Sequence, residues 1–465
     1  MIPLTLEQVA RATGGALGGG ADPAAVVTGV STDTRAVATG ELFVAVVGER
    51  VDAHDLAADA RAAGAAAVLA SRPVDVPHVL VDGTVEALGR LAHAVLADHP
   101  AVVVVGVTGS SGKTSTKDLL AHLLPAYGPT VAPQGSLNTE VGLPVTVLGI
   151  AASTRVLVAE MGARGIGHIR YLCGIAPPRI GVVLNVGSAH VGEFGSRENI
   201  ALAKGELVEC LPAASEGGVA VLNADDPLVA AMAHRTRARV VTYGESAGAT
   251  VRAADVELDD QGRASFALLV GGRRAGVRLG LHGRHHVSNA LAAAAVATSL
   301  GVDLDEVAAA LGQARPASRW RMEVSTAPSG ATVVNDAYNA NPDSVRAALQ
   351  ALAAMTRDGR RGTAVLGEML ELGETTVELH EETGREAARS GAARLVAVGA
   401  SEPVAALVRG YAAESGRPDA AQAVPDADAA LAALGALGPD DVVLVKASRA
   451  AGLERLALAL TEVAS

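Results

Sequence analysis

Between residues 101 and 124 the chain reads AVVVVGVTGSSGKTSTKDLLAHLL, a valine run that empties into glycine, serine, lysine and threonine. Glycines let backbone N–H groups approach a phosphate chain, a lysine brings charge to its terminal groups, and a threonine hydroxyl reaches an accompanying Mg²⁺. Gly106 to Lys117 therefore read as a phosphate-binding loop between a buried strand and a helix. Thr108, Gly109, Ser110, Ser111, Gly112, Lys113 and Thr114 are its expected nucleotide contacts, and ATP is the expected nucleotide. The spacing departs from the general pattern, because the first glycine position holds Val107 and the glycine stands one earlier, at Gly106. A plain glycine turn before a helix is the competing reading; the strand before and the helix after argue against it.

In open α/β sheets ligands bind beyond the carboxyl ends of the strands, so the segments after the other apolar runs come next. They are polar: EMGARGIGH, NVGSAHVGEFG, NADDP, NDAYNANPDS, GEMLELGE and KASRAAG. Glu160, closing RVLVAE, and His190, after GVVLNV, stand where a carboxylate and an imidazole complete Mg²⁺ coordination beside a terminal phosphate. A helix cap and a packed or solvated histidine are the plainer readings of the two. Lys204, in ENIALAKGEL, falls on an expected helix, where residue physics alone leaves it a solvated charge. His285, His286 and Asn289 precede an alanine-rich helix. Helical neighbours point apart, so the two histidines are not expected to share an ion, and contact with a base or ribose competes evenly with a structural role. Asp336 ends a strand, where an aspartate commonly holds ribose hydroxyls; Tyr338, Asn339 and Asn341 follow, and Pro342 to Ser344 open the next helix. Arg319 and Arg321 read as phosphate contacts or interdomain ion pairs, and Lys446 and Arg449 as carboxylate contacts or surface charges.

These groups need a scaffold of alternating strands and helices. Strands are expected at Arg155–Glu160, Ile180–Val186, Val219–Asn223, Thr332–Asp336, Thr363–Glu368, Leu395–Gly399 and Val442–Lys446, with helices at Lys113–Leu124 and Ser344–Met355. That alternation is the pattern of a parallel sheet. Apolar runs at Leu42–Val47 and Ala65–Ala70 mark a smaller α/β unit before it. With 465 residues the chain exceeds one hydrophobic core, so three α/β domains are expected: residues 1–98, 99–316 around the phosphate loop, and 317–465 as a second, Rossmann-like doubly wound unit. A net charge of -12 disfavours nucleic-acid and anionic-membrane partners. Cys173 and Cys210 have no paired spacing, which argues against a disulfide framework or thiolate zinc site and for a reducing cytoplasm. No apolar run approaches the roughly 18 residues of a membrane span, and the N-terminus lacks a signal-like core, so membrane insertion is not expected.

The segments TGSSGKTSTK, SLNTEVGLP, EMGARGIGHI, NVGSAHVGEFGSRENIALAKGEL and NALAA, in this order, resemble the central domain of the Mur ligases. These are ATP-dependent enzymes that add amino acids to the nucleotide-linked peptidoglycan precursor. VVNDAYNANPDSVRAAL, GEMLELGE and KASRAAGLE are similar to the branch that adds a dipeptide; YNANP distinguishes it from sister ligases and from folylpolyglutamate synthetase. STDTR and ELFVAVVGERVDAH resemble the N-terminal domain that holds the UDP part of the precursor, so the match runs over essentially the whole chain.

The resemblance implies a reaction and assigns residues to it. UDP-N-acetylmuramoyl-tripeptide would be activated by ATP as an acyl phosphate and joined to D-alanyl-D-alanine, with two Mg²⁺ ions, by a chain acting as a monomer. Ser31, Thr32, Asp33, Thr34 and Arg35 would hold the precursor; Lys113, Asn138 and Thr139 would lie at the reacting groups. Thr114, Glu160, His190 and Lys204 would serve the metals, Lys204 matching a lysine that is often carbamylated in the superfamily. Asn289 and Asp336 would hold adenine and ribose, Arg321 the phosphates, and Tyr338, Asn339, Asn341, Lys446 and Arg449 would line the dipeptide side. Closure is expected at short hinges near residues 99 and 316. Two positions depart from the family: His285-His286 where His-Asn is usual, and Lys446-Ala447-Ser448-Arg449 where Lys-Gly-Ser-Arg is usual. The rivals are a sister ligase adding a single amino acid, a nucleotide-driven switch or motor, and a pure binding module.

Overall fold

The computed structural model describes residues 1–48, 51–187 and 191–462, and the described residues form four sheets. The largest has nine strands and carries the phosphate loop. From one edge its order is Thr130–Val131, Val156–Glu160, Val103–Thr108, Ile180–Val183, Val219–Asn223, Arg239–Gly244, Val251–Leu258, Arg263–Val270 and Arg273–His282. Pairing is parallel as far as Val251–Leu258 and antiparallel over the last two strands. The expected all-parallel sheet is thus corrected to a mixed one. The signal was present: residues 273–282 alternate exposed and buried, as a sheet with one wet face does, and Gly271 and Gly272 turn the chain at φ +55° and +80°.

The parallel strands form because their valines are buried on both faces. Val103–Thr108 is buried at every position, with the helices Lys113–Leu123 and His285–Ser299 covering one face. The other face belongs to a different cluster, in which Val104, Leu157, Val183, Leu207 and Ile169 join Leu42, Leu69, Leu88 and Leu91. Those last four come from the N-terminal five-stranded sheet, ordered Ala16–Gly18, His78–Leu80, Ala67–Ala70, Glu41–Val44 and Gly29–Ser31, and from the helix Thr84–Ala97. One apolar core therefore crosses from the N-terminal sheet into the central one. This argues against the expected hinge near residue 99, because sliding there would expose Leu88 and Leu91, both fully buried.

The C-terminal sheet of six strands is separate. Its order is Glu323–Thr326, Thr332–Asn335, Asp441–Lys446, Arg361–Gly367, Arg394–Val398 and Ala421–Val424, parallel except for the first edge strand. Its two faces have their own clusters, and neither includes a residue before Met322. Several of its close approaches to the central part fall at glycines. A Cβ on Gly192 would stand 2.5 Å from the Gly373 backbone nitrogen, and one on Gly187 would stand 2.2 Å from Asp343 Oδ2. The strap from Ala314 to Arg321 adds one tether, the Ser318 amide donating to Asp118 Oδ2 at 3.1 Å.

Candidate active site

A cleft of about 730 Å³ opens between the strand ends of the central and C-terminal sheets. Its floor is the phosphate loop. Gly106 proves to be a strand residue: the strand runs to Thr108, the helix starts at Lys113, and the loop is Gly109 to Gly112. Gly106 matters for packing instead, since a Cβ there would stand 2.9 Å from Leu207 on the helix Arg197–Glu209, which also carries Lys204. Gly112 adopts φ +80°, and a Cβ there would stand 2.6 Å from Asn289 Oδ1. Both space and backbone therefore demand glycine at this position. Asn185 holds the loop open by accepting from the Ser111 amide at 2.9 Å and donating to the Ser111 carbonyl at 3.2 Å. Ser110 Oγ accepts from the Gly187 amide at 2.9 Å. Thr108 is fully buried, its hydroxyl without a partner.

Lys113 Nζ donates to its own loop at the Gly109 carbonyl, 2.7 Å away. Burial lowers its pKa, against the pull of Glu160. Thr114 Oγ1 donates to Glu160 Oε2 at 3.1 Å, while Ser136 Oγ and Asn138 Nδ2 donate to Glu160 Oε1 at 2.7 and 2.8 Å. Glu160 is fully buried, so this hydroxyl and amide ring is what keeps a carboxylate inside the fold. Thr139 lines the cleft and its hydroxyl accepts from the Gly142 amide at 3.3 Å. Lys204 is 4% exposed, which overturns its reading as a solvated charge; burial, then the Lys113 charge, push its pKa well down. His190 lies outside the described residues.

The facing wall is built from C-terminal loops. Lys446, 2% exposed, donates to Asp336 Oδ2 at 2.6 Å, to the Asn339 carbonyl at 2.9 Å and to the Asp336 carbonyl at 3.4 Å. It is not a surface charge, and its three N–H groups serve the loop. Asp336 Oδ1 also accepts from the Met322 amide at 3.0 Å. Asn341 caps the helix Pro342–Met355 by accepting from the Ser344 amide at 2.9 Å, and Asn339 Oδ1 accepts from the Ala340 amide. The Arg321 guanidinium lies 4.1 Å from the Tyr338 ring centroid. Arg449 stays half exposed in the cleft. Arg319 points elsewhere, into a separate groove with Arg263, His282 and Arg315. The extra methyl of Ala447 is accommodated because Gly367 faces it, and Ala447 is not among the positive-φ residues.

The helix His285–Ser299 begins at His285, earlier than the expected start near Asn289. Its first two side chains do not diverge, because their ring centroids are 4.2 Å apart. Burial lowers the pKa of His285 to about 4 and holds that of His286 well below the usual imidazole value. Asn289 Nδ2, His285 Nδ1, His286 Nδ1 and Arg321 Nε are buried without partners, four polar atoms on the cleft wall that fit a polar ligand. Ser31 to Arg35 lie outside this cleft, at the end of the edge strand Gly29–Ser31. There Asp33 accepts from the Arg35 amide at 3.0 Å and pairs with the Arg35 guanidinium at 2.7 Å. Sequence reading missed Asn185, Ser136 and Trp320; the first two stand at strand ends or two residues from Asn138, where polarity marked them.

Comparison with known proteins agrees with this geometry. Three family models match: the Mur ligase family catalytic domain over 26–123, the Mur ligase middle domain over 107–297, and the Mur ligase glutamate ligase domain over 320–449. A UDP-N-acetylmuramoyl-tripeptide--D-alanyl-D-alanine ligase of Mycobacterium bovis is 49% identical, covering 99% of this chain and 98% of its own. MurF from Acinetobacter baumannii superposes with a TM-score of 0.88 at 32% identity over 99% of both chains. MurF ligase from Thermotoga maritima in complex with ADP does so with a TM-score of 0.80 at 31% identity, over 94% of this chain and 97% of that one. A phosphate loop and a buried lysine facing a separate C-terminal wall across one cleft, with likeness over the full length, lead to one conclusion: the chain belongs to the Mur ligase family, in its MurF branch.

Proposed function

We propose that this chain is an ATP-dependent ligase that joins D-alanyl-D-alanine to UDP-N-acetylmuramoyl-tripeptide in peptidoglycan precursor synthesis. The observation that carries the reading is the meeting of Lys113, Thr114, Glu160 and Lys204 with Tyr338, Asn339 and Arg449 in one cleft. A nucleotide on the loop and an amine held on the opposite wall would meet there. The relative from Mycobacterium bovis, a UDP-N-acetylmuramoyl-tripeptide--D-alanyl-D-alanine ligase, supports the choice of the two substrates.

The tripeptide carboxylate attacks the γ-phosphorus, ADP leaves, and an acyl phosphate forms. The dipeptide amine then attacks the carbonyl carbon; the tetrahedral intermediate expels phosphate with the C–O bond pair, and the amine loses its proton. Lys113 leaves the Gly109 carbonyl to neutralise charge building on the transferred phosphoryl group. Ser136 and Asn138 hold the Glu160 carboxyl in place through two hydrogen bonds. A hydroxyl and a carboxylate, Thr114 and Glu160, are hard oxygen donors suited to Mg²⁺. Among the described residues no three His, Cys, Asp or Glu side chains converge, so phosphate oxygens and water would complete the shell. Two Mg²⁺ ions would screen the crowded phosphate and carboxylate oxygens when bound, the second near His190 and Lys204. Burial lowers the proton affinity of Lys204, which favours the amine form that would add CO₂ to become an anionic carbamate.

Residues 1–98 would hold the UDP-linked precursor through Ser31 to Arg35, residues 99–316 ATP, and residues 317–465 the rest of the nucleotide and the dipeptide. Asn289 and Asp336 are assigned to adenine and ribose, and Arg321 to phosphate. Among the described residues no helix is long and apolar enough to cross a membrane. We place the reaction in the cytoplasm, with a monomer. The test is ADP release over a panel of UDP-N-acetylmuramoyl peptides with and without D-alanyl-D-alanine. Release that depends on the tripeptide and the dipeptide together supports the reading; release with a single amino acid points to a sister ligase, and release without amide formation to a switch.

A further inference from the structure

Trp320 is the only tryptophan of the chain and stands in the strap between the central and C-terminal sheets. It adopts φ +60° and Met322 adopts φ +50°. Left-handed backbone is costly for a side-chain-bearing residue and persists only where the surroundings over-determine it. Here they do. The Trp320 amide donates to Glu323 Oε2 at 3.1 Å, its carbonyl accepts from the Tyr338 amide at 3.1 Å, and the Met322 amide is held by Asp336. The kink splays consecutive side chains onto two partners: Arg321 lies over Tyr338, and the Trp320 ring lies 4.4 Å from the Arg449 guanidinium carbon.

Arg449 is fixed on two sides and open on the rest. Nη1 pairs with Glu454 Oε1 at 2.8 Å, and Glu454 is itself nearly buried, whereas the Arg449 side chain is 52% exposed and lines the cleft. A guanidinium with one nitrogen tied, one face stacked and its remaining N–H groups free matches a planar carboxylate. The reaction offers one at the right place. The dipeptide carries its nucleophilic amine at one end and a carboxylate at the other, so gripping the carboxylate aims the amine inward. Resting on the functional reading above, we propose that Trp320 is a positioning residue that holds Arg449 in the orientation that receives the dipeptide carboxylate.

The test uses the full-length enzyme with both substrates, and the variants W320L, W320F, R449A and W320L/R449A. W320L is expected to raise the KM for D-alanyl-D-alanine ~10-fold, leaving kcat and the KM for ATP within about twofold. W320F, which keeps an aromatic face, should recover most of that loss, and the double variant should be no worse than R449A. Emission of the sole tryptophan should shift in R449A. An equal rise in the KM for ATP, a double variant showing the product of both losses, or an R449A enzyme with unchanged dipeptide KM would overturn the proposal. The functional reading would survive each of these, and falls only if the wild type makes no dipeptide-dependent amide. Should W320L not fold, W320F and the emission shift still decide.

Discussion

The two junctions of the molecule are made of different materials. Between the N-terminal and central sheets, Leu88 and Leu91 sit in one continuous apolar core with Leu157, Ile169 and Leu207. Between the central and C-terminal sheets, close approaches include Gly187 against Asp343, Gly192 against Gly373, and Gly283 and Gly262 near Ala351. The first junction is welded by water exclusion, whereas among the described residues no buried apolar cluster spans the second. Relative motion therefore belongs at the strap around Ala314 to Arg321. The chemistry divides in the same way. Lys113, Thr114, Glu160 and Lys204 ride on the welded part, while the movable part contributes a self-satisfied loop, Asp336 with Lys446, that presents Tyr338, Asn339 and Arg449.

Four experiments test this division, from the largest effect down. Lys113→Ala removes phosphoryl charge stabilisation from the welded side, so kcat should fall about 10³-fold with unfolding temperature little changed; a loss under tenfold in steady-state assays would contradict it. Leu91→Ala cuts into the shared core, and chemical denaturation should show about 2–5 kcal/mol of lost stability, with the N-terminal and central sheets melting together. Two separate transitions would mean the weld is not there. Gly373→Val adds bulk where Gly192 Cα lies 2.7 Å from any Cβ, at φ +66°. Held apart by about an ångström, the reacting groups should lose about 10²-fold in kcat while ADP affinity for the loop side stays within a few-fold by calorimetry.

The smallest effect is on pH dependence. His285, on the central side, resists protonation until about pH 4 against an ordinary value of 6.5. The unfolded chain takes up that proton first, so stability should decline as pH falls from 6.5 towards 4 and stay flat above. Thermal melts of His285→Asn should show a shallower decline over that window.

The chemistry of the central sheet was legible because it sits at strand ends spelled in valine, and Val219–Asn223 appears with the bounds expected of it. Ile180–Val183 ends three residues before the expected Val186, because hydrophobicity continues through Leu184 and Val186 after pairing stops. The strands within 251–282 were overlooked for the opposite reason: exposed charges such as Asp255, Arg273, Arg274 and Arg278 interrupt their buried positions, and a search for continuous apolar runs passes over them. Lys204 shows a third limit. Burial of a cation inside a helix depends on what packs around it, and Gly106, nearly a hundred residues earlier, is what lets that helix approach. Trp320 illustrates a fourth, since no local pattern foretells a left-handed tryptophan whose partner is Arg449.

The Gly192 to Gly373 contact has a kinetic side. Bringing two bare backbones together freezes no rotamers and hides little apolar area, so the meeting costs little entropy and gains little adhesion. Such a joint is cheap to make and equally cheap to undo. An enzyme that must admit three substrates and discharge three products at each turnover benefits from lobes that separate without a sticking point, and the empty side-chain positions of two glycines provide that release.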